Sequence, residues 1–200
     1  MTGLPSRIRP LHDDLQSLQP IEPAGHLARD LLLQLRFHRR HPRQSAPLGR
    51  WRKRGDFLQG IGRSRGGRTT KLRGLADDQG RSRVLLLSSG NTNDISLAAA
   101  LVDAAGPLRR LIADRGYDAN HLRRLLAERG IEAVIPSTIT RRRPIPYDAK
   151  AYKDRNLVER MWCRLKDWRR VATRYDKLAQ NYLAGALIAA TVSYTNRLNR

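Results

Sequence analysis

The sequence predicts an α/β fold built on one mixed sheet, and three observations carry that expectation. Between Thr69 and Ser89 an alternating segment and an apolar run flank a tight turn, the pattern of a hairpin. From Asp94 to Pro136 helix-like and strand-like stretches alternate, as they do where helices connect parallel strands. Two long helical segments then close the chain.

Taken in order, TTKLRGLA (Thr69 to Ala76) has the period of a strand, DDQG supplies turn residues, and RVLLLSS (Arg83 to Ser89) is a buried-strand run. Asp94 is the expected N-cap of the helix ISLAAALVDAAG, which stops at Gly106. RRLIAD (Arg109 to Asp114) is a short strand. The helix ANHLRRLLAERG follows, with Leu122, Leu125 and Leu126 as its apolar positions and Gly130 as its stop. IEAVIP (Ile131 to Pro136) is a further strand, and STITRRRPIPYD (Ser137 to Asp148) is a proline-broken basic loop. The final helices are expected over about Ala149 to Tyr175 and Leu178 to Leu198.

The N-terminal part differs in kind. From Met1 to about Asp56 there is no sustained periodicity, and RFHRRHPRQSAPLGRWRKRGD (Arg36 to Asp56) is basic with almost no aliphatic residues. Only HLARDLLLQL (His26 to Leu35) reads as a helix. The expected organisation is a disordered basic arm over residues 1–56 and a folded domain over 57–200.

Charge narrows the function. The 200 residues carry 39 Lys and Arg against 18 Asp and Glu, a net +21 that calls for a polyanionic partner, of which nucleic acid is the commonest. Cys163 stands alone, so disulfide frameworks and cysteine-rich zinc sites are excluded. The longest apolar run, Tyr182 to Tyr194, is too short to span a bilayer, and the N-terminus has no apolar signal core. Together these point to a cytoplasmic protein with no membrane partner.

One helix concentrates candidate chemistry. On a helical projection Leu157, Val158, Met161, Leu165, Trp168 and Ala172 share a core-facing side. Tyr152, Arg155, Glu159 and Lys166 fall within about 60° of each other on the opposite side. Asp114 lies where a short apolar strand ends, the edge at which ligands and metals gather in α/β folds. Two such carboxylates can chelate a hard cation such as Mg²⁺. The plain structural alternative is an Arg155–Glu159 pair on a solvated helix face and a turn-capping Asp114.

The quartet Tyr152, Arg155, Glu159 and Lys166 fits the Y-x₂-R-x₃-E-x₆-K signature of bacterial insertion-sequence transposases of the DDE type. GIGRSRGGRTTKL, LIADRGYDA, RGIEAVIP and RNLVERMWCRLKDWRRVATRYDKLAQNY resemble the same family in the same order, over roughly Leu58 to Asn199. The resemblance implies a ribonuclease-H-like core whose three carboxylates hold two divalent metals, Mg²⁺ or Mn²⁺, for DNA strand cleavage and transfer. Asp114 and Glu159 match the second and third carboxylates. Arg155, Lys166 and Tyr152 match residues that contact DNA near the cut, and Arg141, Arg142 and Arg143 are further candidate phosphate contacts. The implied partners are the element ends and target DNA, with two chains pairing on DNA.

The family's first carboxylate, in a D-S-T context on the opening strand, has no counterpart, so that strand is expected to be missing. Asp77 and Asp78 sit on the hairpin turn and are poor substitutes. Synonymous codons for Arg9 to Gln19, read one nucleotide later, permit PYTTIYNRFN. The same shift on Arg36 to Asp56 permits DSTAVIRGKAHRSAGGGKGG, and both strings resemble the family's N-terminal half. The expectation is therefore a truncated or frameshifted transposase, inactive on its own. A non-catalytic DNA-binding protein or inhibitor derived from the same element is the alternative, and an unrelated ribonuclease-H-like nuclease is a third reading.

Overall fold

The computed structural model describes residues 29–40, 59–64 and 67–198. Its sheet has six strands: β1 (Arg29–Arg40), β2 (Gly62–Ser64), β3 (Gly67–Asp77), β4 (Ser82–Ser89), β5 (Leu108–Ala113) and β6 (Glu132–Val134). The main path runs β4-β3-β1-β5-β6, with the short β2 also paired to β3. The β3 strand is antiparallel to both β1 and β4, whereas β1–β5 and β5–β6 are parallel. The mixed sheet expected from the sequence is therefore present.

Two expectations fail at β1. The helix expected over His26 to Leu35 is overturned from Arg29 on, where the described residues begin: Arg29–Arg40 is a strand, and it lies in the middle of the sheet. The opening strand is therefore present rather than missing. The physical reason is pairing on both sides. Leu31 to Leu35 face Asp77 to Arg73 of β3, while Leu31 to Leu33 face Leu111 to Ala113 of β5. Without β1 these neighbours would each carry an unpaired row of backbone donors and acceptors. A run such as DLLLQL has no period that separates strand from helix, so partners decide its conformation. The rest of the expected N-terminal arm, residues 1–28 and 41–56, lies outside the described residues.

Helices cover both faces of the sheet. On one side α1 (Ala98–Ala105) and α2 (Asn120–Glu128) bury Leu101, Val102, Leu122 and Leu126 against Leu75, Leu108 and Leu111. On the other side a helical stretch begins with α3 (Ala149–Tyr152) and a 3₁₀ turn (Lys153–Arg155) and continues as α4 (Asn156–Asp167). A single turn, α5 (Arg169–Ala172), and the 20-residue α6 (Ala179–Leu198) complete this layer. Val158, Met161, Trp162, Leu165, Val171, Ala186 and Ala189 pack here on Leu72, Ala76, Leu85, Ile112 and Val134. Leu111 and Ile112 thus enter opposite cores. A strand buried on both faces reads as an unbroken apolar run, which is why LIA in β5 lacks alternation.

The expected single helix over Ala149 to Tyr175 is interrupted. Trp168 adopts an extended conformation (φ −78°, ψ 105°), closing α4, and its carbonyl accepts from the Val171 and Ala172 amides. The break re-aims the chain so that Val171 and Arg174 become buried, while Trp168 stays 39% exposed instead of joining the core side. Among the described residues no helix is long and apolar enough to cross a membrane.

Two glycines do work that no other residue could. Gly80 closes the β3–β4 turn at φ +66°, its amide donating to the Asp77 carbonyl at 2.8 Å. Gly90 leaves β4 flat against β3: a Cβ there would lie 2.7 Å from the Thr69 carbonyl oxygen and would collide with the Thr69 hydroxyl. Gly90→Ala should therefore destabilise the fold by about 2 kcal/mol or more, because backbone stands in the way. Urea denaturation measures this, and an unchanged midpoint would show that the strand end relaxes freely.

Candidate active site

A cleft of ≈ 860 Å³ opens at the C-terminal edge of β5. Asp114 enters it directly after the strand, at the head of a 3₁₀ turn (Arg115–Tyr117), where its Oδ1 accepts from the Gly116 amide at 2.9 Å. That capping contact occupies one oxygen and fixes the carboxylate at the rim. It also realises the plain reading of Asp114 as a turn residue, so the two roles coexist.

The α3–α4 stretch supplies a further wall. Tyr152, Arg155, Glu159 and Lys166 all line the same cleft as Asp114, because the 3₁₀ turn between α3 and α4 keeps the backbone helical and the polar line unbroken. Arg155 donates to Glu159 at 2.7 Å, and its guanidinium lies 5.9 Å from the Tyr152 ring centre. Tyr147 meets Tyr152 edge-to-face at 5.5 Å. Partial burial pushes the Tyr152 hydroxyl above its ordinary range. The site is thus a cationic wall carrying one exposed carboxylate, with a second carboxylate, Asp114, lining the same cleft.

The third carboxylate on the cleft, Asp94, escaped the sequence reading, which cast it as a helix cap. The cap is instead Asn93, whose side chain accepts from the Ile95 amide. Asp94 turns to the sheet, where its Oδ1 accepts from Lys71 at 2.7 Å and from Arg73 at 3.0 Å. Burial pushes this carboxyl up, but Lys71 and Arg73 outweigh that and hold it below its usual range. Arg73 is fully buried and also donates to Ser88 and the Thr92 carbonyl. The clue in the sequence was Lys71 and Arg73 themselves: two cations on one face of an otherwise apolar strand need an anion. Beside them Tyr117 is buried on the cleft lining, and among the described residues its hydroxyl has no hydrogen-bond partner. Burial, then the charges of Asp94 and Asp114, raise its pKa far above the normal tyrosine value.

The three loop arginines divide. Arg142 and Arg143 are exposed, whereas Arg141 folds back to make two bonds to Asp118, at 2.9 and 3.0 Å. Trp162 is buried in the core, and Cys163 is exposed on the cleft rim.

Comparison with known proteins accords with this layout. The profile of the transposase DDE domain family matches residues 111–195, a span that holds Asp114 and all of the Tyr152–Lys166 line. A transposase assigned to insertion sequence element IS6501 of Brucella ovis is 30% identical over 125 residues, covering 62% of this chain and 96% of that relative. One assigned to element IS402 of Burkholderia cepacia is 30% identical over 137 residues; the chain spans 63% of its length. The chain belongs to the insertion-sequence transposases of the DDE type.

Proposed function

We propose that this chain binds DNA through the cationic wall of the cleft but does not by itself cut or join strands. The family relation supports DNA as the polyanion that a net charge of +21 requires. A ribonuclease-H-like core is favoured by the strand path β4-β3-β1-β5-β6, with three antiparallel strands followed by two parallel ones.

A single observation carries the inactivity: among the described residues, the cleft's three carboxylates leave only two as candidate metal ligands. Asp114 and Glu159 both line it, whereas Asp94 is held by two cations. In β1 the pair Leu33–Ala113 precedes Asp114, so Gln34 is the residue that draws level with it. The acid of β1, Asp30, pairs with Arg110 farther back. Among the described residues no three acidic, histidine or cysteine side chains are grouped so as to hold a metal ion. The donor set of the described residues therefore does not fit the two-metal site that the family uses with Mg²⁺ or Mn²⁺, and no metal-assisted step is assigned to them.

This reading favours a first carboxylate encoded in another frame: residues 1–56 are the out-of-frame part, and although Arg29–Arg40 within them fills the strand position, it brings Gln34 rather than an acid level with Asp114. Stop codons throughout the shifted frame would reject it. A non-catalytic regulator made from the same element follows equally from DNA binding without cleavage. The test pairs duplex binding at several salt concentrations with a nicking assay in Mg²⁺ and Mn²⁺. Binding should weaken steeply with salt, Lys166→Ala should lower the salt slope by about 1, and no nicking should appear. Metal-dependent nicking abolished by Glu159→Ala would overturn the proposal.

A further inference from the structure

Asp118 is not part of the family's carboxylate set, yet it is among the most completely satisfied carboxylates in the described structure. Its side chain is 0% exposed. Oδ1 accepts from Arg123 Nε at 2.7 Å and Arg141 Nη2 at 3.0 Å; Oδ2 accepts from the Thr138 amide at 2.7 Å and Arg141 Nε at 2.9 Å. Arg123 donates onward to the Ile135 carbonyl at 2.7 Å. One carboxylate thus joins the turn that begins at Asp114, helix α2, the exit of β6 and the basic loop.

The loop is closed at its base as well. The Ser137 hydroxyl accepts from the Ile145 amide at 2.8 Å and lies 3.2 Å from the Ile145 carbonyl, while the Arg141 amide donates to the Thr138 carbonyl at 3.1 Å. The flanks of the loop, Pro136 and Tyr147, line the cleft. Between these anchors Arg142 and Arg143 project as exposed cations. A proline-broken segment would otherwise sample many conformations, and ordering it in advance spares that entropy when a ligand binds.

We propose that Asp118 is a positioning residue. Through Arg141 and the Thr138 amide it holds the Ser137–Asp148 loop beside the cleft, so that Arg142 and Arg143 meet the phosphates of bound DNA. Arg141, which the sequence placed among the phosphate contacts, is then the strut and its two neighbours are the contacts. The inference rests on the DNA-binding reading above.

The experiment measures duplex DNA affinity against salt concentration for the full chain and four variants. These are Asp118→Asn, Arg141→Gln, the pair Arg142→Ala with Arg143→Ala, and that pair combined with Asp118→Asn. Asp118→Asn should weaken binding about tenfold and lower the salt slope by 1 to 2, roughly one phosphate contact per arginine lost. Arg141→Gln should do much the same while leaving the Asp118–Arg123 pair in place, so it carries the test if Asp118→Asn melts early. The decisive readout is coupling: the triple variant should bind no more weakly than the double arginine variant. A further tenfold loss in the triple would show an effect spread through the fold and would overturn the inference. So would Asp118→Asn and Arg141→Gln proteins that bind like the parent. A parent chain that does not bind duplex DNA would instead sink the DNA-binding reading, and this inference with it.

Discussion

Arg174→Ala is expected to destabilise the protein by about 3–5 kcal/mol, enough to unfold a marginally stable domain. The guanidinium is fully buried and is held mainly by neutral acceptors. It donates to the Thr70 hydroxyl at 2.6 Å and to the carbonyls of Gln59, Asp176 and Lys177 at 2.9, 3.0 and 3.2 Å, over the ring of Tyr182. Burial lowers its pKa, with Tyr182 and Asp176 acting against that. Truncation leaves several buried acceptors without donors and opens a cavity where the end of α5, the start of α6 and strand β3 meet. Arg174→Met keeps much of the volume and should cost less, which separates packing from hydrogen bonding. Urea unfolding followed by circular dichroism checks both, and a loss below about 1 kcal/mol for the alanine variant would show that the network is dispensable.

Asp94→Ala is expected to cost about as much, because it leaves Lys71 and Arg73 uncompensated inside the protein. Asp94→Asn, which retains an acceptor but no charge, should cost less. The pH dependence has a definite sign. A carboxyl held below its unfolded value stabilises the fold at pH values above that unfolded value, and the contribution fades as pH falls through the lower folded one. The stability gap between the parent and Asp94→Ala should therefore stay level from pH 7 to about pH 5 and close below about pH 4. A gap that closes near neutrality would mean that a different group controls it.

The elements that sequence reading placed well are those with local signatures. DDQG became a turn because Asp77 can accept from the Gln79 and Arg81 amides while Gly80 takes the positive φ. Helix α2 stood out because Leu122 and Leu126 share a face, and the alignment of Tyr152, Arg155, Glu159 and Lys166 followed from helical geometry alone. What stayed illegible is non-local. The β1 strand is fixed by partners far along the chain rather than by its own period. The role of Asp94 depends on two cations from the neighbouring hairpin. The break at Trp168 leaves no glycine or proline mark in the sequence and follows from the burial of Val171 and Arg174.

The position of β1 has a consequence for the order in which this protein can assemble. Of the described strands the middle one leaves the ribosome first, and its parallel partner β5 follows about 80 residues later, as the Leu33–Ala113 pair shows. Until then the nascent chain holds a strand with one edge unserved, and the β3–β4 hairpin is the partner that arrives sooner. Contacts so distant along the chain close slowly, so the interval before β5 docks is the period when the growing chain is most exposed to wrong pairings.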